Sequence, residues 1–233
     1  MTIRLVQVSE AALMIYFGDK IDTSLPQQIA QFNQIITAQL GAAITDAVPS
    51  YTSLLLEYNP LIITIEQLVT AAQLVITQLD QHHSIQNSTT IVLPVYYGLE
   101  VSPDLESVAK YHNLTTAQVA TIHSQQDYTV CAIGFAPGFA FLGSVDPRIA
   151  TPRHHKPRLK IPAGSVGIAD QQTAVYPNDS PGGWQIIGNC PRKLFDPTGD
   201  PIMPFKVGDK VRFQPIDIEQ YQDLGGKLCL DWK

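Results

Sequence analysis

Glycine divides this chain. Of its fifteen glycines, only Gly18 and Gly41 precede Gly98, and most of its seventeen prolines also lie in the second half. Both residue types interrupt regular structure, so the second part must be built from short elements joined by tight turns, while the first can carry longer ones. The polar segment "DQHHSIQNSTT", Asp80 to Thr90, lies where the composition changes. It reads as a linker, with domains expected at 1–87 and 88–233. A length of 233 residues allows two small domains, each with a real core.

The first part reads as two β-type runs, "IRLVQVSE" and "ALMIYF", followed by a helix. Asp22 to Pro26 gathers helix-start residues, with proline tolerated in the first turn only. Ile29, Phe32, Ile36 and Leu40 recur at helical spacing, and Gly41 supplies the stop. "ITDAVPSY" and "SLLLEY" read as two further strands. Thr64 and Gln67 then form a capping-box pattern ahead of the stripe Leu68, Ala72, Val75 and Leu79. The order is ββαββα, which predicts helices packed on one face of a small antiparallel or mixed sheet.

The second part opens with the strand-like "TIVLPVYY". Ser102 and Pro103 start a short helix that Asn113 can end. Thr115 and Gln118 repeat the capping-box pattern for a helix reaching about His123. From Tyr128 onward, "YTVCAI", "RLKIP", "SVGIA", "TAVYP", "WQIIG" and "KVRFQ" follow one another with glycine and proline between them. Many short strands so punctuated predict a closed or nearly closed β-barrel, and the fold class is α+β.

Charge and composition exclude several functions. The net charge of −6 argues against a general nucleic-acid binder, which needs a basic face. No apolar run approaches the ~20 residues of a membrane span, and the start "MTIRLVQVSE" lacks a signal-peptide pattern. Cys131, Cys190 and Cys229 are too few and too far apart for a disulfide framework, so a cytoplasmic protein with reduced thiols is expected. The adjacent pairs His82-His83 and His154-His155 point to opposite sides of an extended chain, and no metal site is expected. No Walker A loop is present and no G-x-G-x-x-G follows a strand.

Three segments carry the candidate chemistry. "IGFAPGFAFLG", Ile133 to Gly143, joins three phenylalanines to residues that break regular structure. It is expected to be an ordered loop beside a pocket, with at least one phenylalanine facing a ligand or partner; the plain alternative is a plug at the barrel's end. "TPRHHKPRLKIP" is the one dense basic stretch, and Arg153 or Arg158 in it can clamp a carboxylate or phosphate through the guanidinium fork. A solvated, extended loop is the alternative. "YPNDSPGGWQIIG" gathers Ser180, Gly182, Gly183 and Trp184, where glycine lets backbone amides approach a ligand and tryptophan can wall a pocket. A tight turn before a core tryptophan would look the same. Ser165, in "PAGSVG", is no nucleophile elbow but can contact a substrate.

Together "GFAPGFAFLGSVDPRIATPR", "PRLKIPAGSVGIADQQTAVYP" and "SPGGWQIIGNCPRKLFDP" closely resemble the family of 5-oxoprolinase B subunits, also labelled allophanate hydrolase subunit 1 and the kinase inhibitor KipI. "PVYYGLEVSPDLESVAKYHNLTTAQVATIHS" and "VGDKVRF" resemble its remaining segments. The resemblance covers the whole chain and is strongest from about 90 to 215.

It implies a small α/β N-terminal domain and a cyclophilin-like β-barrel, without prolyl isomerase activity. It also implies one part of a three-component enzyme that opens 5-oxo-L-proline to L-glutamate with ATP hydrolysis, in company with the C and A subunits of 5-oxoprolinase. The chain would supply one wall of a shared site, be inactive alone, and leave ATP binding to the complex. On this basis Arg158, Ser165, Glu100 and His123 are the catalytic candidates. Phe139, Arg153, Tyr176, Ser180, Gly182, Gly183 and Trp184 are the substrate-binding candidates. Glu100 and His123 have plainer roles as charges at helix ends. The family also admits two other functions: inhibition of a sensor histidine kinase, and a part in an allophanate hydrolase or urea carboxylase system.

Overall fold

The computed structural model describes residues 3–81, 90–228 and 232, with the side chains of Asp80 and Gln81 left aside. The centre of the expected linker, 82–89, falls outside the described residues, as do His82, His83 and Cys229. The fold is mixed α and β, dominated by antiparallel strand pairs with a few helices. Its contacts divide into two compact units, Met1–Ser88 and Thr89–Lys233.

In the first unit, β1 (Arg4–Ser9), β2 (Ala12–Tyr16), β3 (Ile44–Ser50) and β4 (Ser53–Tyr58) pair antiparallel in the order β1-β2-β4-β3. Helices α1 (Leu25–Leu40) and α2 (Ile65–Gln81) complete the expected ββαββα order. Pro26 sits in the first turn of α1, and Gly41 ends it at φ 51°. At the start of α2, Thr64 and Gln67 exchange side-chain and backbone hydrogen bonds of 3.0 and 3.4 Å. The two helical stripes meet the sheet in one core: Ile29, Phe32, Ile36, Leu68, Ala72 and Val75 bury against Leu13, Ile15, Leu54 and Leu56. Each buried Leu, Ile, Val or Phe among these contributes roughly 1.5–3 kcal/mol, which offsets the cost of ordering the helices.

The second unit is a sheet that closes on itself. β13 (Lys210–Pro215) runs parallel to β5 (Thr90–Val95) and antiparallel to β6 (Asp127–Ile133). From β6 the antiparallel pairing continues through β7 (Ala140–Gly143), β10 (Gln172–Val175), β9 (Ser165–Ala169) and β12 (Gln185–Asn189). Tyr96, just past β5, then bridges Asn189 with two reciprocal backbone bonds of 2.9 Å, so the last strand returns to the first. Between β5 and β6 lie α3 (Leu105–Tyr111) and α4 (Thr116–Ser124), the latter with the expected Thr115/Gln118 capping box. A separate two-stranded ribbon pairs β8 (Arg158–Ile161) with β11 (Ser180–Gly182), and α5 (Ile218–Asp223) follows β13.

Alternation along the strands sorts their side chains into two cores. Val166 and Ile168 of β9, Val175 of β10, and Ala140 and Leu142 of β7 join the large interior cluster with Leu93, Tyr128 and Phe213. Their neighbours Ala169, Ala174 and Phe141 belong to a second cluster with Phe139, Ile161, Tyr176, Trp184 and Ile186. Successive residues of a strand point to opposite faces, so this second cluster lies on the outer face of the sheet, and Ile161 of the β8–β11 ribbon is part of it.

The segment Ile133–Gly143 corrects one expectation. It is not simply a loop: it is the turn between β6 and β7 followed by the whole of β7. Gly138, at φ 82°, sits where an added Cβ would be 2.8 Å from the Leu194 carbonyl, so both its conformation and its contact demand glycine. The three rings divide. Phe139 is buried, Phe141 is half-buried, and Phe135 is 66% exposed with a φ of 72°, a left-handed conformation rare for a bulky residue.

Candidate functional site

The outer-face cluster is an aromatic box. Phe139 stands edge-on to Tyr176 and to Trp184, with centroids 5.3 and 5.8 Å away, and Phe141 tilts against Phe139 at 4.8 Å. Phe135 closes on Phe139 at 5.2 Å from the exposed side. Edge-to-face packing of this kind fixes the rings beyond what area burial alone would do. The sequence builds the box through strand period: Phe139 and Phe141 alternate with Ala140 and Leu142, and Tyr176 follows Ala174 by two. Gly182 is required for its closure, because a Cβ there would lie 2.5 Å from the Tyr176 hydroxyl and 2.8 Å from Ile161 Cδ1.

Ser165 opens β9 on the same face as Gly167 and Ala169, and an added Cβ on Gly167 would meet Trp184 Cβ at 3.1 Å. Ser165 is therefore directed to the side of the aromatic box. It is fully buried, and its Oγ has no hydrogen-bond partner. Ser180 Oγ, on the covering ribbon, is likewise buried and unpartnered. A buried hydroxyl left unpaired costs about 1–3 kcal/mol, which makes these two, beside one aromatic cluster, candidate ligand contacts.

Charge surrounds this box on the basic segment. Arg153 is exposed and makes no ion pair among the described residues. Its Nε and Nη2 lie 3.8 Å from where a Cβ on Gly183 would stand. Burial pushes the Tyr176 hydroxyl up to about 12, moderated by the Arg153 charge and a backbone hydrogen bond from Trp184. Tyr176 therefore stays a neutral phenol at any physiological pH.

Arg158 is placed differently from a free clamp. Its two terminal nitrogens donate to the carboxylate oxygens of Asp104 at 2.8 Å each, and its guanidinium lies 5.9 Å from the Trp232 ring centroid. Asp104 is almost fully buried and also accepts the Ile186 amide at 2.7 Å. The carboxylate thus ties the start of α3 to β8 and β12, across 54 and 82 residues of sequence. His154 Nε2 lies 3.1 Å from Asp104 Oδ1, within ion-pair distance but off the line a hydrogen bond needs. In the sequence, His154 reads only as half of a His-His pair unsuited to a metal, and Asp104 is not singled out; its one signal is an acidic residue beside the helix-start pair Ser102-Pro103.

The structure brings together Phe139, Arg153, Arg158, Ser165, Tyr176, Ser180, Gly182, Gly183 and Trp184. It does not bring Glu100 or His123 to the same place. Glu100 is exposed in the turn before α3 and accepts a hydrogen bond from the Tyr96 hydroxyl at 3.2 Å. His123 is fully buried, stacked on Phe213 at 4.5 Å. The Thr173 hydroxyl donates to the Gly167 carbonyl at 2.9 Å, so it accepts from His123 Nε2, also at 2.9 Å. His123 Nδ1 must then accept from the Tyr97 hydroxyl at 2.8 Å. Burial holds this imidazole down to about 3, and it is neutral in the folded protein. A neutral ring with both nitrogens engaged inside the core has no free site for a substrate proton, which corrects the reading of His123 as a proton carrier. It also sets aside a charge at a helix end.

Among the described residues no three His, Cys, Asp or Glu side chains gather where a metal could be held, and no helix is long and apolar enough to cross a membrane. Cys131 and Cys190 are free and buried, and burial pushes the Cys190 thiol up to about 11.

Residues 3–205 match the family described as carboxyltransferase domain, subdomain C and D. The chain is 36% identical over 233 residues to the 5-oxoprolinase B subunit of Bacillus subtilis, covering 95% of this chain and 97% of that protein. It is 48% identical over 128 residues to the 5-oxoprolinase B subunit of Escherichia coli O157:H7, covering 55% of this chain and 59% of that one. The solved structure of TTHA0988 is 29% identical, with a TM-score of 0.76 over 93% of this chain, and this chain spans 40% of that longer polypeptide.

Proposed function

We propose a function from the premise that this chain belongs to the carboxyltransferase-domain subdomain C and D family and, within it, to the B subunits of 5-oxoprolinase. It is the B subunit of an ATP-dependent 5-oxoprolinase, which opens the lactam of 5-oxo-L-proline to L-glutamate. The observation that carries this reading is the 36% identity to a 5-oxoprolinase B subunit over nearly the full length of both chains. The two compact units take the parts of the family's α/β N-terminal domain and cyclophilin-like barrel.

The aromatic box is our reading of the substrate wall. A five-membered lactam has apolar edges suited to Phe139, Tyr176 and Trp184. Its ring amide suits the unpartnered hydroxyls of Ser165 and Ser180. Its carboxylate suits Arg153, the site cation with no ion pair among the described residues. Arg158 acts behind them, holding the ribbon through Asp104 rather than touching the substrate.

A lactam resists water near neutral pH, and ATP supplies the energy to activate its carbonyl oxygen. The sequence has no phosphate-cradling glycine loop, so ATP is assigned to the partner A and C subunits, and the chain is inactive alone. Phe135, exposed and held in a left-handed conformation at the edge of the box, is the residue we assign to contact with the C subunit. Use of ATP assigns the complex to the cytoplasm.

The test is direct. The purified chain is mixed with the C and A subunits, the mass of the mixture is measured by light scattering, and ADP release is followed with and without 5-oxoproline. A heteromer whose ADP release requires 5-oxoproline supports the assignment. A chain that stays separate, or ADP release indifferent to 5-oxoproline, rejects it.

A further inference from the structure

The basic segment holds a second arrangement that the substrate wall does not use. Asp104 is a buried carboxylate with its two oxygens already engaged by Arg158 and by the Ile186 amide. His154 adds its Nε2 at 3.1 Å from Oδ1, and its side chain is 31% exposed. That Nε2 is itself buried without an aligned hydrogen-bond partner. The His154 backbone is fixed, since its amide donates to the Gly183 carbonyl at 2.7 Å, directly before Trp184. A small rotation of the ring therefore brings Nε2–H onto Asp104 while the backbone stays put. In the neutral ring so placed, Nδ1 is the free acceptor, on a residue whose backbone is bonded to the strand that carries Trp184.

We infer that His154 is the proton-carrying residue of the ring-opening reaction and that Asp104 is its positioning residue. The inference rests on the 5-oxoprolinase reading above. A carboxylate behind one ring nitrogen fixes the tautomer and steadies the imidazolium that forms when the other nitrogen takes a proton. The charged group in contact with His154 is Asp104, at the start of α3, which is itself held by Arg158 of β8 and by the Ile186 amide of β12. Arg158 donates to both carboxylate oxygens, including the Oδ1 that His154 approaches, and so fixes Asp104 without needing His154.

The step balances without any redox partner. The oxygen of water bonds to the ring carbonyl carbon, and the proton it sheds passes to His154 Nδ1. As the carbon–nitrogen bond breaks, that proton moves to the departing ring nitrogen. Activation of the carbonyl oxygen by ATP precedes this step and belongs to the complex, so the ring opens to an acyl phosphate and its amine; a second water then releases inorganic phosphate and leaves the carboxylate.

The test uses the reconstituted complex. His154→Gln keeps a polar side chain of similar reach but cannot carry a proton, and it is expected to lower kcat for glutamate formation roughly 100-fold. KM for 5-oxoproline is expected to stay within about threefold, because the wall is intact. His154→Ala should regain turnover when free imidazole is added, and Asp104→Asn should lower kcat about tenfold at similar KM. Wild-type kcat in His154→Gln within an assembled complex overturns the inference. So does a variant that loses only substrate affinity.

A readout independent of turnover separates this inference from the functional reading. In 15N-labelled protein, the His154 ring should carry its proton on Nε2, and Asp104→Asn should mix the tautomers. An Nδ1–H tautomer in the wild type overturns the arrangement whether or not the complex opens 5-oxoproline.

Discussion

Acid should loosen this protein through His123. The ring is fully buried and held neutral, with its pKa brought from the usual 6.5 down to about 3 by burial. The unfolded chain therefore binds more protons than the folded one between those two values. Stability is complete above pH 6.5 and is lost as pH falls towards 3. For these pKa values the loss at pH 5 relative to pH 8 is about 2 kcal/mol, and the limiting loss is about 5 kcal/mol.

The perturbation is His123→Gln, which removes the titrating ring and keeps a polar side chain. Urea unfolding of wild type and variant at pH 8 and pH 5, followed by tyrosine and tryptophan fluorescence, isolates the contribution. The variant is expected to be less stable at pH 8, because Tyr97 and Thr173 lose their shared partner. Its further loss on moving to pH 5 should be smaller than the wild type's by about 2 kcal/mol. Equal pH dependence in the two proteins would mean that the buried His123 ring titrates as it does in the unfolded chain.

Three further outcomes follow from the same geometry. Arg158→Ala strands the buried Asp104 carboxylate and should cost about 3 kcal/mol of stability in thermal or urea unfolding, whereas loss of activity with unchanged stability would return Arg158 to the substrate. Gly182→Ala forces the Tyr176 hydroxyl and Ile161 aside, so complex activity should fall at least tenfold, about 1.4 kcal/mol of transition-state stabilisation, while near-ultraviolet circular dichroism of the aromatic cluster changes. Phe135→Ala should leave unfolding within about 0.5 kcal/mol of wild type, because the ring is exposed, yet weaken association with the C subunit in light scattering; unchanged association would remove Phe135 from the interface.

Much of the fold was legible because local pattern and tertiary need agree in this chain. The stripes Ile29-Phe32-Ile36 and Leu68-Ala72-Val75 are both buried, and the Thr64/Gln67 and Thr115/Gln118 patterns both cap helices. A third such box, Asp217/Gln220, starts α5, but that helix is six residues long and buries only Tyr221, too little for a periodic signal. β7 was hidden by its surroundings. The glycines and the proline of Ile133–Gly143 suggested a loop, although Phe139 to Leu142 already alternates with period two. β11 is three residues long and contains proline, and only its pairing with β8 makes it a strand.

The site was legible as residue types and not as partners. Serine, arginine, tyrosine and tryptophan near glycine suggested a pocket wall, and the strands gather them on one face. Whether Arg158 is free depends on Asp104, which lies 54 residues away, and no local pattern announces that pair. His123 shows the same limit. At a helix end it resembles an exposed charge, but the closing of the sheet buries it against Phe213 and Thr173.

The central claim is that this chain is a necessary wall of a shared 5-oxoprolinase site. It is tested most directly by measuring glutamate release from 5-oxoproline and ATP with this chain and the C and A subunits together, and then with each of the three omitted in turn. Glutamate is expected only from the full mixture, in step with ADP, and none from this chain alone. Full release from the A and C subunits without this chain, or turnover by this chain unaided, would contradict it.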